Sequence, residues 1–335
     1  MNLDVMKMIY YLGYTYAMDW RTNFNDSILS ELRRRKIPHQ VLPNSDWSKK
    51  LSPDEEDFIL SISSRDEDIW FIAWVYHPIM KKLQFKKGKK VSRIAGLACN
   101  PFEKAFIYGF DIKDALKGEE YFFSLYDVIL FNSHYGLEMA AKQYPRLSHK
   151  FFYVGRPTDF ERLSPYKAET KKEKTIAINH RFSIEKMAII ELELSKQLID
   201  KGYTVYHFMG PEQKSDSAIF QTLIDMAEKN GVQFLVTTKK EDYYRLLSQC
   251  SMVVSTSMSD MLPMSMFEAI YLGLIPIAPN HLSFTEFIHK DNLYEPFDLK
   301  QIIGIIEKSP LRDHPVFTHD KRVVMDKILS VLMEG

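Results

Sequence analysis

The sequence predicts an α/β protein with two Rossmann-like, doubly wound parallel-sheet domains, on three features of its 335 residues. Length is the first: the chain exceeds what one hydrophobic core usually fills, and two domains of roughly 150 residues each are expected. Alternation is the second, since short apolar runs recur between longer amphipathic stretches, as parallel strands joined by crossover helices require. The third is a break in that rhythm at residues 155–174, where Pro157, Pro165 and a run of Lys and Glu interrupt the pattern. A first domain over 1–155, a linker over 156–173 and a second domain over 174–335 follow.

In the first half, strands are predicted at 5–11, 39–42, 68–76, 91–98, 127–131 and 151–154, with a helix at 27–35 among the connections. In the second half the order is strand 175–179, helix 184–200, strand 204–208, helix 217–229 and strand 233–236. It continues with helix 242–249, strand 252–255, helix 265–272 and strand 275–278. Helix 184–200 carries Met187, Ile190, Leu194 and Leu198 along one face, spaced to pack on a sheet.

Composition excludes several classes. A chain 45% hydrophobic and 26% charged leaves no room for a long disordered region. Lys plus Arg (44) cancels Asp plus Glu (44), so no overall field draws the protein to nucleic acid or acidic lipid. Cys99 and Cys250 are the only cysteines and lack metal-ligand spacing, which argues against a disulfide framework or a zinc site and for a reducing cytoplasm. The apolar run at 5–12 is interrupted by Lys7 and reads as a buried strand rather than a signal peptide. Nowhere do 18 apolar residues run together, so no spanning helix is expected, and peripheral contact with a membrane stays open.

In doubly wound sheets, ligands sit beyond the carboxyl ends of the strands, so loops that follow strands matter most. The basic stretch Lys81, Lys82, Lys86, Lys87, Lys89, Lys90 and Arg93 precedes its strand and is expected as a solvated loop away from any site. Asp66-Glu67-Asp68 also precedes a strand, and no metal requirement is expected.

Two segments do follow strands and open helices. The first runs Ser255-Thr256-Ser257-Met258-Ser259-Asp260, then Leu262, Pro263, Met264, Ser265, Glu268, Ala269, Gly273 and Pro276. A helix beginning near Pro263 presents backbone N–H groups and the positive end of its dipole, as a diphosphate needs. Glu268 lies about one turn further in, on a side chain long enough to accept hydrogen bonds from a ribose diol. The second is Asn179-His180-Arg181, continuing to Lys186, which sets two cations between a strand and a helix start.

These segments resemble the retaining family-4 glycosyltransferases. That family carries two acidic residues separated by seven others, before an Ala, a Gly and a Pro; Asp260, Glu268, Ala269, Gly273 and Pro276 match, with Asp260 where Glu is usual. It also carries an Arg, four intervening residues and a Lys, matched by Arg181 and Lys186. Softer likenesses lie at 126–133 and 155–160. The resemblance implies a GT-B fold, with the two domains facing a central cleft. It implies a nucleoside-diphosphate sugar as donor substrate without a separate cofactor, and transfer to an acceptor hydroxyl with retention. Glu268 would bind the ribose, Asp260 the transferred sugar, and Arg181 and Lys186 the diphosphate. Gly13, Gly210, Leu262, Met264 and Ser265 complete the expected donor-binding set.

On the acceptor side, loops after strands in the first half supply residues 13–21, His77, Asn100, Ser133 and His134. Tyr14, Tyr16 and Trp20 either stack on a sugar or base or belong to the core. Asp19, His77 and His134 are the acid–base candidates, because the family's frequent histidine is replaced here by Cys99-Asn100-Pro101. The acceptor stays open among glycan, lipid, protein and DNA bearing hydroxymethylated bases. A nucleotide-sugar epimerase and an inactive sugar-nucleotide binding module are the rival readings.

Overall fold

A computed structural model describes residues 7–13, 20–43, 51–94, 97, 111–183, 186–209, 218–308 and 317–333. In chain order the elements are β1 (Ile9–Leu12), α1 (Trp20–Arg34), β2 (His39–Val41), α2 (Pro53–Ser61), β3 (Ile69–Ile72), α3 (Met80–Leu83) and β4 (Lys89–Ile94). Then come α4 (Ile112–Ser124), β5 (Val128–Phe131), α5 (His134–Gln143), β6 (Phe151–Tyr153), α6 (Phe160–Leu163), β7 (Thr175–Ile178), α7 (Ala188–Asp200) and β8 (Thr204–Met209). The last are α8 (Ala218–Lys229), β9 (Gln233–Val236), α9 (Lys240–Leu247), β10 (Met252–Val254), α10 (Met264–Tyr271), β11 (Ile275–Pro279), β12 (Leu293–Tyr294), α11 (Leu299–Glu307) and α12 (Lys321–Met333).

The strands form two six-stranded sheets, β2-β1-β3-β4-β5-β6 and β12-β11-β10-β7-β8-β9. Every pairing within them is parallel. Parallel strands covered on both faces read as continuous apolar runs, and β1, β3, β5 and β7 each bury all four residues. The second sheet has the Rossmann order, with its reversal between β7 and β10. The chain thus has the predicted α/β class.

The residues divide into an N-terminal unit, Met1–Asp159 with Thr318–Gly335, and a C-terminal unit, Phe160–Phe317. This differs from the sequence-based limits of 156–173 and 174–335 in two places. Phe160, expected in the linker, stacks on Tyr271 with ring centroids 4.8 Å apart, inside the C-terminal unit. The last helix, α12, belongs to the N-terminal unit: Val324, Met325, Ile328 and Leu332 pack in one core with Ile9, Tyr11, Phe24 and Ile28. Arg35 adds an ion pair to Asp326 at 2.5 Å and a hydrogen bond to the Arg322 carbonyl at 3.1 Å. The apolar stripe of α12 identifies a packing face, but local periodicity says nothing about which sheet receives it.

Other boundaries shift for local reasons. Strand 68–76 ends at Ile72, because His77 N–H bonds the Trp74 carbonyl at 3.1 Å and turns the chain. Helix 184–200 begins at Ala188, after Met187 in the left-handed region at φ 60°. Its buried face is Ala188, Glu191, Leu194, Ser195 and Leu198, so Met187 and Ile190 leave the expected stripe. The basic stretch is not one solvated loop. Lys89, Lys90 and Arg93 lie in β4, an interior strand, with Lys90 and Arg93 buried. The Arg93 guanidinium sits 3.7 Å from the Phe24 ring centroid, and the Lys90 amide donates to Asp127 Oδ2 at 2.7 Å. Asp68, from the acidic triplet, is buried and accepts from the amides of Met8 (3.1 Å) and Arg65 (2.8 Å), a structural use.

Among the described residues no helix is long and apolar enough to cross a membrane, and no three His, Cys, Asp or Glu side chains are grouped to hold a metal ion.

Two buried histidines make the N-terminal unit acid-sensitive. His77 Nδ1 accepts from the Ile79 amide at 3.2 Å and His319 Nδ1 from the Arg156 amide at 3.1 Å, so each must be neutral. Burial depresses both imidazoles from 6.5 to about 4. The unfolded chain therefore takes up protons first, and the stability from these groups is complete above pH 6.5 and is lost as pH falls toward 4. At full protonation the loss is roughly 3 kcal/mol for each. Thermal melts between pH 6.5 and 4.5 should show a falling Tm, with a shallower slope in His319→Asn, whose amide oxygen can still accept from Arg156.

Candidate functional site

The two expected motifs become the loops that follow β7 and β10, the neighbouring strands at which the order of the second sheet reverses. Ile176 pairs with Met252 and Ala177 with Val253, so residues over 70 positions apart leave the sheet side by side. In open parallel sheets the two loops at such a reversal diverge to opposite faces and leave a crevice between them.

Several hydrogen bonds tie these loops together. Asn179 Nδ2 donates to the Ser265 carbonyl at 2.8 Å, joining the end of β7 to the first turn of α10. Thr256 Oγ1 donates to the Lys186 carbonyl at 2.7 Å. Lys186 Nζ donates to Ser257 Oγ (3.0 Å), the Ser259 carbonyl (2.7 Å) and Asp260 Oδ2 (2.6 Å). The Lys186 side chain is buried and Asp260 only partly so, which makes their ion pair stronger than a surface pair, where solvent screens the attraction. The serines rigidify the loop: Ser255 Oγ accepts from the Ser257 amide (3.3 Å) and Ser257 Oγ from the Ser259 amide (3.2 Å). Tyr294 in β12 clamps the Ser255 carbonyl at 2.7 Å.

Pro263 starts α10 without a side-chain cap, and Leu262 and Met264 bury their side chains around it. The first-turn amides of a helix have no intrahelical acceptor, so this end carries partial positive charge. Glu268 is buried one turn in and accepts from the Tyr244 hydroxyl at 3.0 Å. The helix ends in a Schellman motif: Gly273, at φ 88°, donates to the Ile270 carbonyl and Leu274 to the Ala269 carbonyl. Gly273 thus has a backbone reason. Lys171 Nζ donates to the terminal carbonyls of both α9 and α10, Ser248 and Leu272, at 2.5 Å each.

Below the β7 loop lies a buried polar cluster. His207 contacts the Glu191 carboxylate through Nδ1 and, through Nε2, holds the His180 carbonyl at 3.0 Å. His180 Nε2 accepts from the Thr256 amide at 3.5 Å while its Nδ1 faces the Arg181 carbonyl at 3.2 Å, consistent with a neutral ring protonated at Nδ1. Burial lowers the His180 pKa, Glu191 partly offsets this, and His207 and Lys186 lower it further. Arg181 itself is exposed.

Of the expected donor-side residues, Lys186, Asp260, Leu262, Met264, Ser265 and Glu268 thus occupy the two linked loops and α10, and Arg181 lies on the first loop. Gly210 and Asp19 lie outside the described residues, as do Tyr14, Tyr16, Cys99 and Asn100. Gly13 follows β1, where a Cβ would meet the Tyr11 ring at 2.7 Å and the Asn25 amide at 2.9 Å. His77, the catalytic candidate of the first half, is buried and engaged by its own turn. His134 is exposed and stacks on Tyr153 at 3.7 Å between centroids; Ser133 caps α5.

Sequence reasoning missed Asn179 as a tether, the tyrosines Tyr243, Tyr244 and Tyr294, and the His180–His207–Glu191 cluster. One signal was readable: Glu191 falls between Ala188 and Leu194 on the apolar face of α7, where an acid needs a buried partner. Asn179→Ala should lower the Tm by a few degrees, since an unmade buried hydrogen bond costs about 1–3 kcal/mol. Asn179→Asp should cost more, because a carboxylate cannot donate to the Ser265 carbonyl; thermal denaturation of both variants checks the order.

Comparison with known proteins adds a family match over the C-terminal unit. A model of the Glycosyl transferases group 1 family matches residues 159–309, nearly the C-terminal unit. Alr3699/HepE of Anabaena, solved in complex with UDP-glucose, superposes with a TM-score of 0.69 at 13% identity, over 99% of this chain and 100% of that one. The lipopolysaccharide outer core galactosyltransferase WaaB gives 0.67 at 13%, over 98% and 99%. A glycosyltransferase from Rickettsia africae gives 0.65 at 12%, over 98% of each chain. At such identities the structural likeness speaks for the fold, and the matches favour neither the epimerase, the DNA-modifying nor the inactive-module reading. Residues 159–309 match the glycosyl transferases group 1 family, and the chain shares the GT-B fold of the glycosyltransferases on which it superposes.

Proposed function

We propose that this enzyme transfers a sugar from a uridine diphosphate sugar to an acceptor hydroxyl with retention of anomeric configuration. The observation that carries the reading is the joining of the β7 and β10 loops through Lys186, Asp260, Asn179 and Ser265. In this reading the diphosphate lies against the first turn of α10, with Arg181 and Lys186 as its cations and Glu268 on the ribose diol. Solved neighbours that hold UDP and UDP-glucose support uridine as the base.

In the reaction, the bond from the sugar's anomeric carbon to the β-phosphate oxygen breaks and one to the acceptor oxygen forms. The acceptor proton is released and the nucleoside diphosphate leaves. Negative charge grows on the departing phosphate, so cations held there stabilise the transition state more than the ground state. The ion pair with Asp260 partly neutralises Lys186 and holds it in place. Asp260 is the group nearest this lysine that suits the transferred sugar, its carboxylate able to accept from sugar hydroxyls. Glycan, lipid, protein and modified-DNA acceptors all satisfy this chemistry, and the site requires no separate cofactor.

Calorimetric titration with UDP-sugars tests the site. Lys186→Ala, Arg181→Ala and Glu268→Ala should each weaken UDP binding about 10- to 100-fold, the value of one or two charge-assisted hydrogen bonds. Unchanged affinity in all three would sink the assignment. Asp260→Asn should separate binding from turnover: UDP affinity holds or rises as Lys186 loses its counter-charge, while transfer falls by about 100-fold or more. Retention is read from the anomeric proton coupling of the product by NMR.

A further inference from the structure

The Glu268 carboxylate is held from α9 by Tyr244, and the adjacent Tyr243 is tied to the same helix through Asn179. Tyr244 Oη donates to Glu268 Oε1 at 3.0 Å. The Tyr243 hydroxyl, beside it, accepts from Asn179 Nδ2 at 3.2 Å. Asn179 in turn holds the Ser265 carbonyl, one turn ahead of Glu268 on the same helix. The rings are themselves immobilised: Tyr243 packs edge-on to Phe208 at 5.5 Å and Tyr244 lies against Tyr166 at 5.6 Å, with 5.3 Å between the two centroids. Burial, followed by the negative charge of Glu268, raises both phenol pKa values. Both hydroxyls therefore stay protonated, and Tyr244 keeps donating.

A buried carboxylate needs donors for its own solvation, and one would suffice to satisfy an oxygen. A donor on a rigid ring, beside a second ring that Asn179 braces to the backbone of the same helix, also sets the rotation of the carboxylate plane. A ribose presents two adjacent hydroxyls in fixed geometry, so their recognition depends on that rotation. A site built to pair with a hydroxyl rejects the analogue lacking it, but only while its acceptor cannot turn to another partner.

We infer that Tyr243 and Tyr244 are positioning residues that lock Glu268 for the ribose diol and so make the donor site select ribonucleotides over 2′-deoxyribonucleotides. The inference rests on the reading of Glu268 as the ribose-binding group. It assigns a specificity-determining role to helix α9, which carries none of the residues that the sequence motifs single out.

The test measures dissociation constants for the tightest-binding nucleoside diphosphate among UDP, GDP, ADP and CDP, for its 2′-deoxy counterpart, and for inorganic pyrophosphate. The full-length protein and its Tyr243→Phe, Tyr244→Phe, double Phe and Glu268→Ala variants are compared. The native enzyme should prefer the ribonucleotide at least about tenfold. Each Phe variant should cut that preference by about threefold or more, and the double variant should bring it near unity, while pyrophosphate affinity stays within about twofold. Loss of a merely structural contact would weaken all three ligands together and leave the preference intact. A preference unchanged in both single variants overturns the positioning role, with the donor site still standing if Glu268→Ala weakens nucleotide binding. Nucleotide affinity indifferent to Glu268→Ala overturns the donor-site reading itself. The single variants decide the matter even where the double variant does not fold, since each keeps its ring.

Discussion

The parallel pairing of β7 with β10 is the constraint on which the rest of the C-terminal unit depends. It aligns Ile176 with Met252 and Ala177 with Val253, and thereby releases two loops from the sheet next to each other at the reversal of strand order. No loop–loop contact would have to be strong to create this proximity; the sheet ladder enforces it. The hydrogen bonds of Lys186, Asn179 and Thr256 then convert proximity into a fixed arrangement. The C-terminal unit is in this sense an α/β sheet whose reversal point carries Arg181 and Lys186 after one strand, and Asp260 and Glu268 after the other.

Much of that furnishing is itself held from beneath. The serine hydroxyls at 255 and 257 are spent on the amides of their own loop, so the run of small polar residues is a means of stiffening the backbone near charged groups. His207 and Glu191 support the carbonyl before Arg181, and Lys171 neutralises the ends of two helices that point away from the site. Buried polar groups cost free energy unless paired, and here His207 finds a partner in the His180 carbonyl of the site loop. Stability and geometry of the site are therefore coupled. A change to the supporting cluster would be felt at Arg181 without touching a ligand.

Legibility in the sequence followed physical range. Five strands of the second sheet could be read to within a residue or two, because a buried parallel strand is a continuous apolar run such as Thr175–Ile178, while the two-residue edge strand β12 was too short to be read. The donor-side motifs were legible as well, since loops that end strands and open helices carry recognisable residues at short spacing. Short-range signals failed where long-range contacts decided. Lys90 and Arg93 read as solvated because of their charge, yet they lie in an interior strand and find Phe24 and Asp127 from elsewhere in the chain. His77 read as a possible acid or base, while its ring is consumed by the turn it sits in.

By itself the sequence determined the α/β class, the residue types at the ends of β7 and β10, and the helix start that suits an anion, all of which are encoded within windows of about 20 residues. Only the tertiary structure decided that Lys186 pairs with Asp260, that Tyr244 holds Glu268, and that the last helix completes the N-terminal core. The reason is that a side chain's partner depends on which strands neighbour each other and on which sheet a helix face covers. Those are outcomes of the whole chain's burial of apolar surface, and no local stretch specifies them.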